Sequence, residues 1–276
     1  MLDIPGVQDA LMSAFDYDSS IIQTDIAAGL RGAWQVPRLD QDRLVAAMQS
    51  PKLQRWITET TSSALFLNFN APRNQKSMSF IAAKLADSIQ TSALENQHRI
   101  RPVLVLSFFC SSHSRSEDSE FGVGSMMRSL IGQLLLAYPG FSLHVVRRIK
   151  AANLLSIADL CEIFYLLIGQ LPQHRVVFCI LDSVTVFEDN KTLREESQIA
   201  MRELMEVVRW TAEYGCCFKL LLTSPGNSRV LYRHLMEPEE NSIWLPTKVP
   251  SQGGLTRGKW EGSVGGRIDR LRIPNN

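Results

Sequence analysis

The stretch ALFLNFNAPRNQKS, from Ala64 to Ser77, decides how the rest of the chain is read. Its first part, Ala64–Phe69, is a short apolar run suited to a strand buried on both faces. Its second part, Asn70–Ser77, is polar and turn-forming. A helix then follows over Ser77–Gln90, with Met78, Ile81, Ala82, Leu85 and Ile89 on one face. Strand, polar turn and helix in immediate succession open an α/β unit.

The alternation continues downstream. Val103–Cys110 (VLVLSFFC) predicts a second buried strand. A polar loop, Ser111–Glu120, leads to a helix striped by Met127, Leu130, Ile131, Leu134, Leu135 and Tyr138, which Pro139-Gly140 stops. Ser156 with Asp159 resembles a capping box for a helix carrying Leu160, Phe164, Leu167, Ile168 and Leu171 inward, and Pro172 ends it. Val176–Asp182 (VVFCILD) is a third strand. Thr192 with Glu195 caps a long helix to about Tyr214. Cys217–Thr223 is a fourth strand and Ile243–Leu245 a short fifth. Unbroken apolar strands alternating with helices predict a mostly parallel sheet covered on both faces. Such sheets bind ligands beyond the carboxyl ends of their strands, here residues 68–77, 110–120, 182–190 and 223–229.

Upstream, residues 1–60 read as a helical lead-in. Val7 to Phe15 and Gln41 to Ile57 have helical spacing, and Pro5, Gly29, Gly32 and Pro37 interrupt it. Residues 61–246 form the α/β domain. Residues 247–276 hold six glycines and six basic side chains (Lys248, Arg257, Lys259, Arg267, Arg270, Arg272) against Glu261 and Asp269, and read as a flexible basic tail. The 276 residues carry a net charge of only +1, which gives no global field to gather nucleic acid or a membrane surface. No run approaches the length of a membrane helix, and the first residues do not read as a signal peptide. Five cysteines, odd in number and without a CxxC, read as buried reduced thiols in a cytoplasmic protein.

The chemistry is sought at the strand ends. A phosphate-binding loop of the pattern GxxxxGK[ST] needs glycines for close backbone approach, a Lys for charge and a Ser or Thr for magnesium. Asn70–Ser77 puts Lys76 and Ser77 at the Lys and Ser positions, at a helix start. Asn70 takes the first glycine position and Gln75 the second. Asn tolerates left-handed backbone. Gln75 instead brings a long side chain to a position that needs bare backbone, and Pro72 removes an amide from the loop. Asp182 closes an apolar strand as a magnesium-side acid does, and Thr223 ends the next strand, with Arg229 following.

Together these residues, with FFCSSH at Phe108–His113 and MMRSLIGQLLLAYP at Met126–Pro139, resemble the STAND class of P-loop NTPases, the NACHT-like and nephrocystin-like modules common in fungal proteins. The resemblance spans roughly Trp56 to Leu245. It implies a five-stranded sheet in the order 5-1-4-3-2 and ATP or GTP with magnesium as cofactor. Lys76 would meet the β- and γ-phosphates, Ser77 and Asp182 the magnesium, and Thr223 the γ-phosphate side; Asn70 and Gln75 belong to the loop. The departures are a damaged loop and the absence of further acids directly after Asp182, where Ser183, Val184, Thr185 and Val186 stand and Glu188 and Asp189 come late. Without a positioned base, hydrolysis loses roughly 10²–10⁴-fold. The winged-helix arm and repeat array of the class are not in this sequence. The reading is therefore a signalling scaffold or interaction module with little or no hydrolysis, with protein partners and, by resemblance, self-association. The alternative is a slow ATP- or GTP-binding switch.

Other chemistry has little footing. The histidines at 98, 113, 144, 174 and 234 are dispersed, and Cys110 with His113 lacks a second metal-binding pair. No GxSxG occurs. The basic tail has a lone Trp260 rather than the interleaved aromatics of a nucleic-acid platform, so a nucleic-acid partner is not expected.

Overall fold

Strands as apolar as VVFCILD satisfy their backbone only inside a sheet and their side chains only under two layers of helix. The computed structural model has that arrangement. It describes residues 15, 17–70, 75–95, 102–142, 145, 148–149, 153–191, 193–228 and 239–270. Five strands form one sheet: β1 Ser63–Asn68, β2 Val103–Phe109, β3 Val176–Asp182, β4 Cys217–Ser224 and β5 Ser242–Trp244. Every pairing is parallel. The order is β2-β3-β4-β1-β5, which from the opposite edge reads 5-1-4-3-2. All of β3 and all of β4 are buried. Lys219 is a buried cation within β4; its ammonium donates to Ser63 Oγ at 3.0 Å, and burial pulls its pKa down.

Helices cover both faces. On one side lie α1 (Ser19–Arg31), α2 (Arg38–Gln49), α3 (Pro51–Thr58) and α4 (Gln75–Leu94), with a 3₁₀ turn at Gly32–Gln35 between α1 and α2. On the other lie α5 (Val123–Ala137), α6 (Ile157–Gly169) and α8 (Arg194–Tyr214), while α7 (Thr185–Asp189) is a short helix just after β3. α1 crosses α4 closely. A Cβ on Gly29 would lie 2.7 Å from Ala83 Cβ and 3.0 Å from the Ser79 carbonyl oxygen, so the crossing requires glycine there.

Three expectations need correction. The single helical pattern over Gln41–Ile57 is two helices, because Pro51 disfavours helical backbone at Ser50, which has ψ 126°. The long helix α8 is preceded by Leu193, which makes no side-chain cap; Thr192 lies outside the described residues, as do residues 7–14 of the first predicted helix. The described part of the flexible tail is packed structure. A short helix α9 (Arg257–Trp260), a π-helical turn (Glu261–Gly265) and α10 (Gly266–Arg270) bury Trp260, Val264 and Ile268 against α2, α3 and α4. Gly253 and Gly254, with φ of 72° and 68°, shape a turn whose Gln252 and Gly254 amides donate to Asp42 Oδ1 at 3.0 and 2.7 Å. Trp260, Val264 and Ile268 turn inward and the half-buried Leu255 packs against the core, which a low apolar content concealed.

Among the described residues no helix is long and apolar enough to cross a membrane. All five cysteines are buried and free of disulfides. Burial pushes the Cys161 and Cys216 thiols up to about 12, which leaves them protonated.

Candidate functional site

The carboxyl ends of β2, β3 and β4 and the start of α4 meet around one carboxylate. Asp182, the last residue of β3, is fully buried. Its Oδ1 accepts a hydrogen bond from Thr223 Oγ1 at 2.7 Å, and its Oδ2 accepts from Ser79 Oγ at 2.6 Å and Ser111 Oγ at 3.2 Å. Thr223 is fixed in that role, because its own hydroxyl oxygen accepts the Ser183 amide at 2.9 Å. Burial raises the Asp182 pKa above the usual carboxylate range, and the surrounding hydroxyl hydrogen bonds oppose it. Ser183 takes a left-handed backbone, φ 56°, as the chain turns out of the strand into α7.

The residues of the Lys-Ser pair sit elsewhere. Asn70 has the left-handed backbone expected at a glycine position, φ 50°, and its amide donates to Asn68 Oδ1 at 2.6 Å. Asn68 Nδ2 in turn donates to the Gly226 carbonyl at 3.0 Å, tying the end of β1 to the end of β4. Residues 71–74, with Pro72, and Arg229 lie outside the described residues; of Gln75 only the backbone is described, at the first position of α4. Lys76 is exposed, and its ammonium donates to Gln35 Oε1 at 2.6 Å. Ser77 is buried, and its hydroxyl donates to Asp40 Oδ2 at 3.3 Å.

Helical phase explains the split. Two positions along an α-helix are about 200° apart, so Ser77 and Ser79 face opposite sides of α4. Ser79 faces the strand ends and Ser77 faces α2. The structure thus joins Asp182 to Thr223 but leaves Ser77 apart from them. The acids that come late do not turn in either: Glu188 Oε1 accepts from Ser228 Oγ at 2.6 Å. The side chain of Asp189 is not described.

α2 is itself locked over this end of the sheet. Arg43 donates to Asp40 Oδ1 at 3.2 Å, to the Pro246 carbonyl at 2.9 Å and to the Phe69 carbonyl, with its guanidinium 4.1 Å from the Phe69 ring centre. His113 ties α1 to the β2–α5 loop that also carries Ser111, with Nε2 2.8 Å from Asp25 and Nδ1 3.0 Å from Asp118. Its partners are carboxylates, and among the described residues no group of three or more His, Cys, Asp or Glu is arranged to hold a metal.

As placed, the proposed magnesium ligands do not fit that ion. The Ser77 hydroxyl and the Asp182 carboxylate are not directed at a common point; the first serves Asp40 and the second accepts three hydroxyl protons. Sequence reasoning put Asp182 and Thr223 at strand ends, which the structure joins by a hydrogen bond, and allowed Asn70 the left-handed backbone it has. It missed Ser79, Ser111, Gln35, Asp40 and Arg43. Ser111 opens a loop already marked as a strand end, whereas Asp40 and Arg43 look like any exposed i, i+3 ion pair until α2 is seen to be buried.

No curated protein matches this chain. The family described as nephrocystin 3, N-terminal, matches residues 46–224, from α2 through the last residue of β4. That span holds β1 to β4 and the Asp182 cluster, and the chain belongs to the nephrocystin 3 N-terminal family.

Proposed function

We propose that this chain is a degenerate P-loop NTPase-like module of the STAND kind, serving as a signalling scaffold or interaction domain that hydrolyses little or no nucleotide. The observation that carries this reading is the closure of Asp182 by Ser79, Ser111 and Thr223, with Ser77 directed away to Asp40. A magnesium-side acid needs a free oxygen facing the loop hydroxyl, and moving this carboxylate would leave three donors to be satisfied again. The residues directly after Asp182 supply no base, at a cost of roughly 10²–10⁴-fold in rate. Membership of the nephrocystin 3 N-terminal family supports an interaction role. Protein partners and self-association in a cytoplasmic setting belong to the same reading.

The test is turnover. Purified chain incubated with millimolar ATP or GTP and magnesium should release phosphate no faster than its Lys76→Ala variant. Turnover that depends on Lys76 would overturn the proposal in favour of a slow switch.

A further inference from the structure

Lys76 and Ser77 are consecutive, point in different directions, and are both held by the same short segment. Gln35 at the end of the 3₁₀ turn accepts from Lys76, and Asp40 in the first turn of α2 accepts from Ser77. We propose that Gly32–Gln49 is a built-in strap that pre-empts the Lys-Ser pair and so keeps the first turn of α4 unavailable to a polyphosphate anion. This rests on the reading of Lys76 and Ser77 as the remnant of a phosphate loop.

The strap is anchored independently of the two contacts. Arg43 fastens it to the carbonyls of Phe69 and Pro246, at the exits of β1 and β5. Asp42 fastens it to the Gln252 and Gly254 amides, and Gln41 Oε1 accepts from the Leu255 amide at 3.3 Å. The residues following β5 therefore clamp α2 from outside while Asp40 faces inward. Asp40 is 4% exposed and Asp42 also 4%, so both carboxylates are fixed rather than solvated. A carboxylate seated on Ser77 opposes an incoming phosphate because it uses the hydroxyl proton and, held by Arg43, keeps its place over the helix start. The Gln35–Lys76 contact is the exposed and releasable half; the Asp40–Ser77 contact is the buried half.

The test uses the full chain with Gln35→Ala, with Gln35→Ala/Asp40→Asn, and with the latter plus Lys76→Ala. Lys76 acylation by limiting N-hydroxysuccinimidyl acetate is mapped by peptide mass spectrometry, and magnesium-ATP binding is followed by titration calorimetry. Freeing Lys76 in Gln35→Ala should raise its acylation rate at least about twofold. The double variant should bind magnesium-ATP at least about tenfold more tightly than the native chain, and lose that binding with Lys76→Ala. Gln35 is exposed, so its variant folds and its Lys76 rate decides the matter even if the double variant does not. An unchanged Lys76 rate, or a folded double variant that still fails to bind, overturns the strap and leaves the scaffold reading intact. A native chain that binds as tightly as the double variant overturns both.

Discussion

Asp182 is a carboxylate closed by three hydroxyl donors at the end of a fully buried strand, with no ion pair to a cation among the described residues. Its raised pKa has a definite consequence for stability. The folded chain holds the proton to higher pH than the unfolded chain, so the associated stabilisation is complete below about pH 3.9 and is lost as pH rises through the folded value. Asp182→Asn should therefore be tolerated at pH 7 and flatten the acid limb of the stability profile, since hydroxyls can reverse to accept from the amide. Asp182→Ala removes the shared acceptor and should cost about 1–3 kcal/mol. Urea unfolding of both variants from pH 3.5 to 8 checks this; a larger loss in Asp182→Asn than in Asp182→Ala would contradict it. At this scale the sequence was partly legible. Asn70 was read correctly as tolerant of left-handed backbone, and Asp182 and Thr223 as strand-end neighbours. The pairing of Ser77 with Asp182 failed because the rotation of α4 about its axis is set by packing against α1 and α2, which local spacing does not encode.

Between elements, the joins that matter are α1 on α4 and α1 on the β2–α5 loop. Gly29→Ala puts a methyl 2.7 Å from Ala83 Cβ, against backbone that cannot yield easily, and should cost about 1–3 kcal/mol by thermal or urea unfolding. The second join is sensitive to pH. Burial pulls the His113 pKa down, but hydrogen bonds and charge from Asp25 and Asp118 more than offset it, and the net shift is upward. A raised histidine pKa gives stabilisation that is full below about 6.5 and lost as pH rises through the folded value. Hydrogen exchange in α1 should therefore quicken relative to α4 above that range, and Asp25→Asn should reduce the difference; uniform behaviour of the two helices in the native chain would count against the clasp. Strands were the most legible elements, because runs such as VVFCILD and CFKLLLT have few other stable uses. Helix ends were less so: Ser156 caps α6 as read, while the break at Ser50-Pro51 was overlooked within a continuous apolar pattern.

The molecule as a whole is a parallel sheet whose carboxyl-terminal strand ends are roofed by its own flanking segments. The lead-in roofs it through α2, and the segment after β5 holds α2 in place. Composition misrepresented that second segment, since six glycines and a basic excess outweighed its few apolar residues, of which Trp260, Val264 and Ile268 are buried. Each large buried side chain is worth about 1.5–3 kcal/mol, so removing residues 251–276 should destabilise the chain by several kcal/mol and expose the faces of α3 and α4 that it covers. A truncated chain with unchanged unfolding midpoint would show that this packing contributes nothing. The central claim concerns the roofed site, and it is tested most directly by calorimetric titration of the native chain with ATP and GTP in the presence of magnesium, beside Lys76→Ala. Neither protein should give saturable heat; tight magnesium-dependent binding by the native chain, abolished by Lys76→Ala, would show that the site is open.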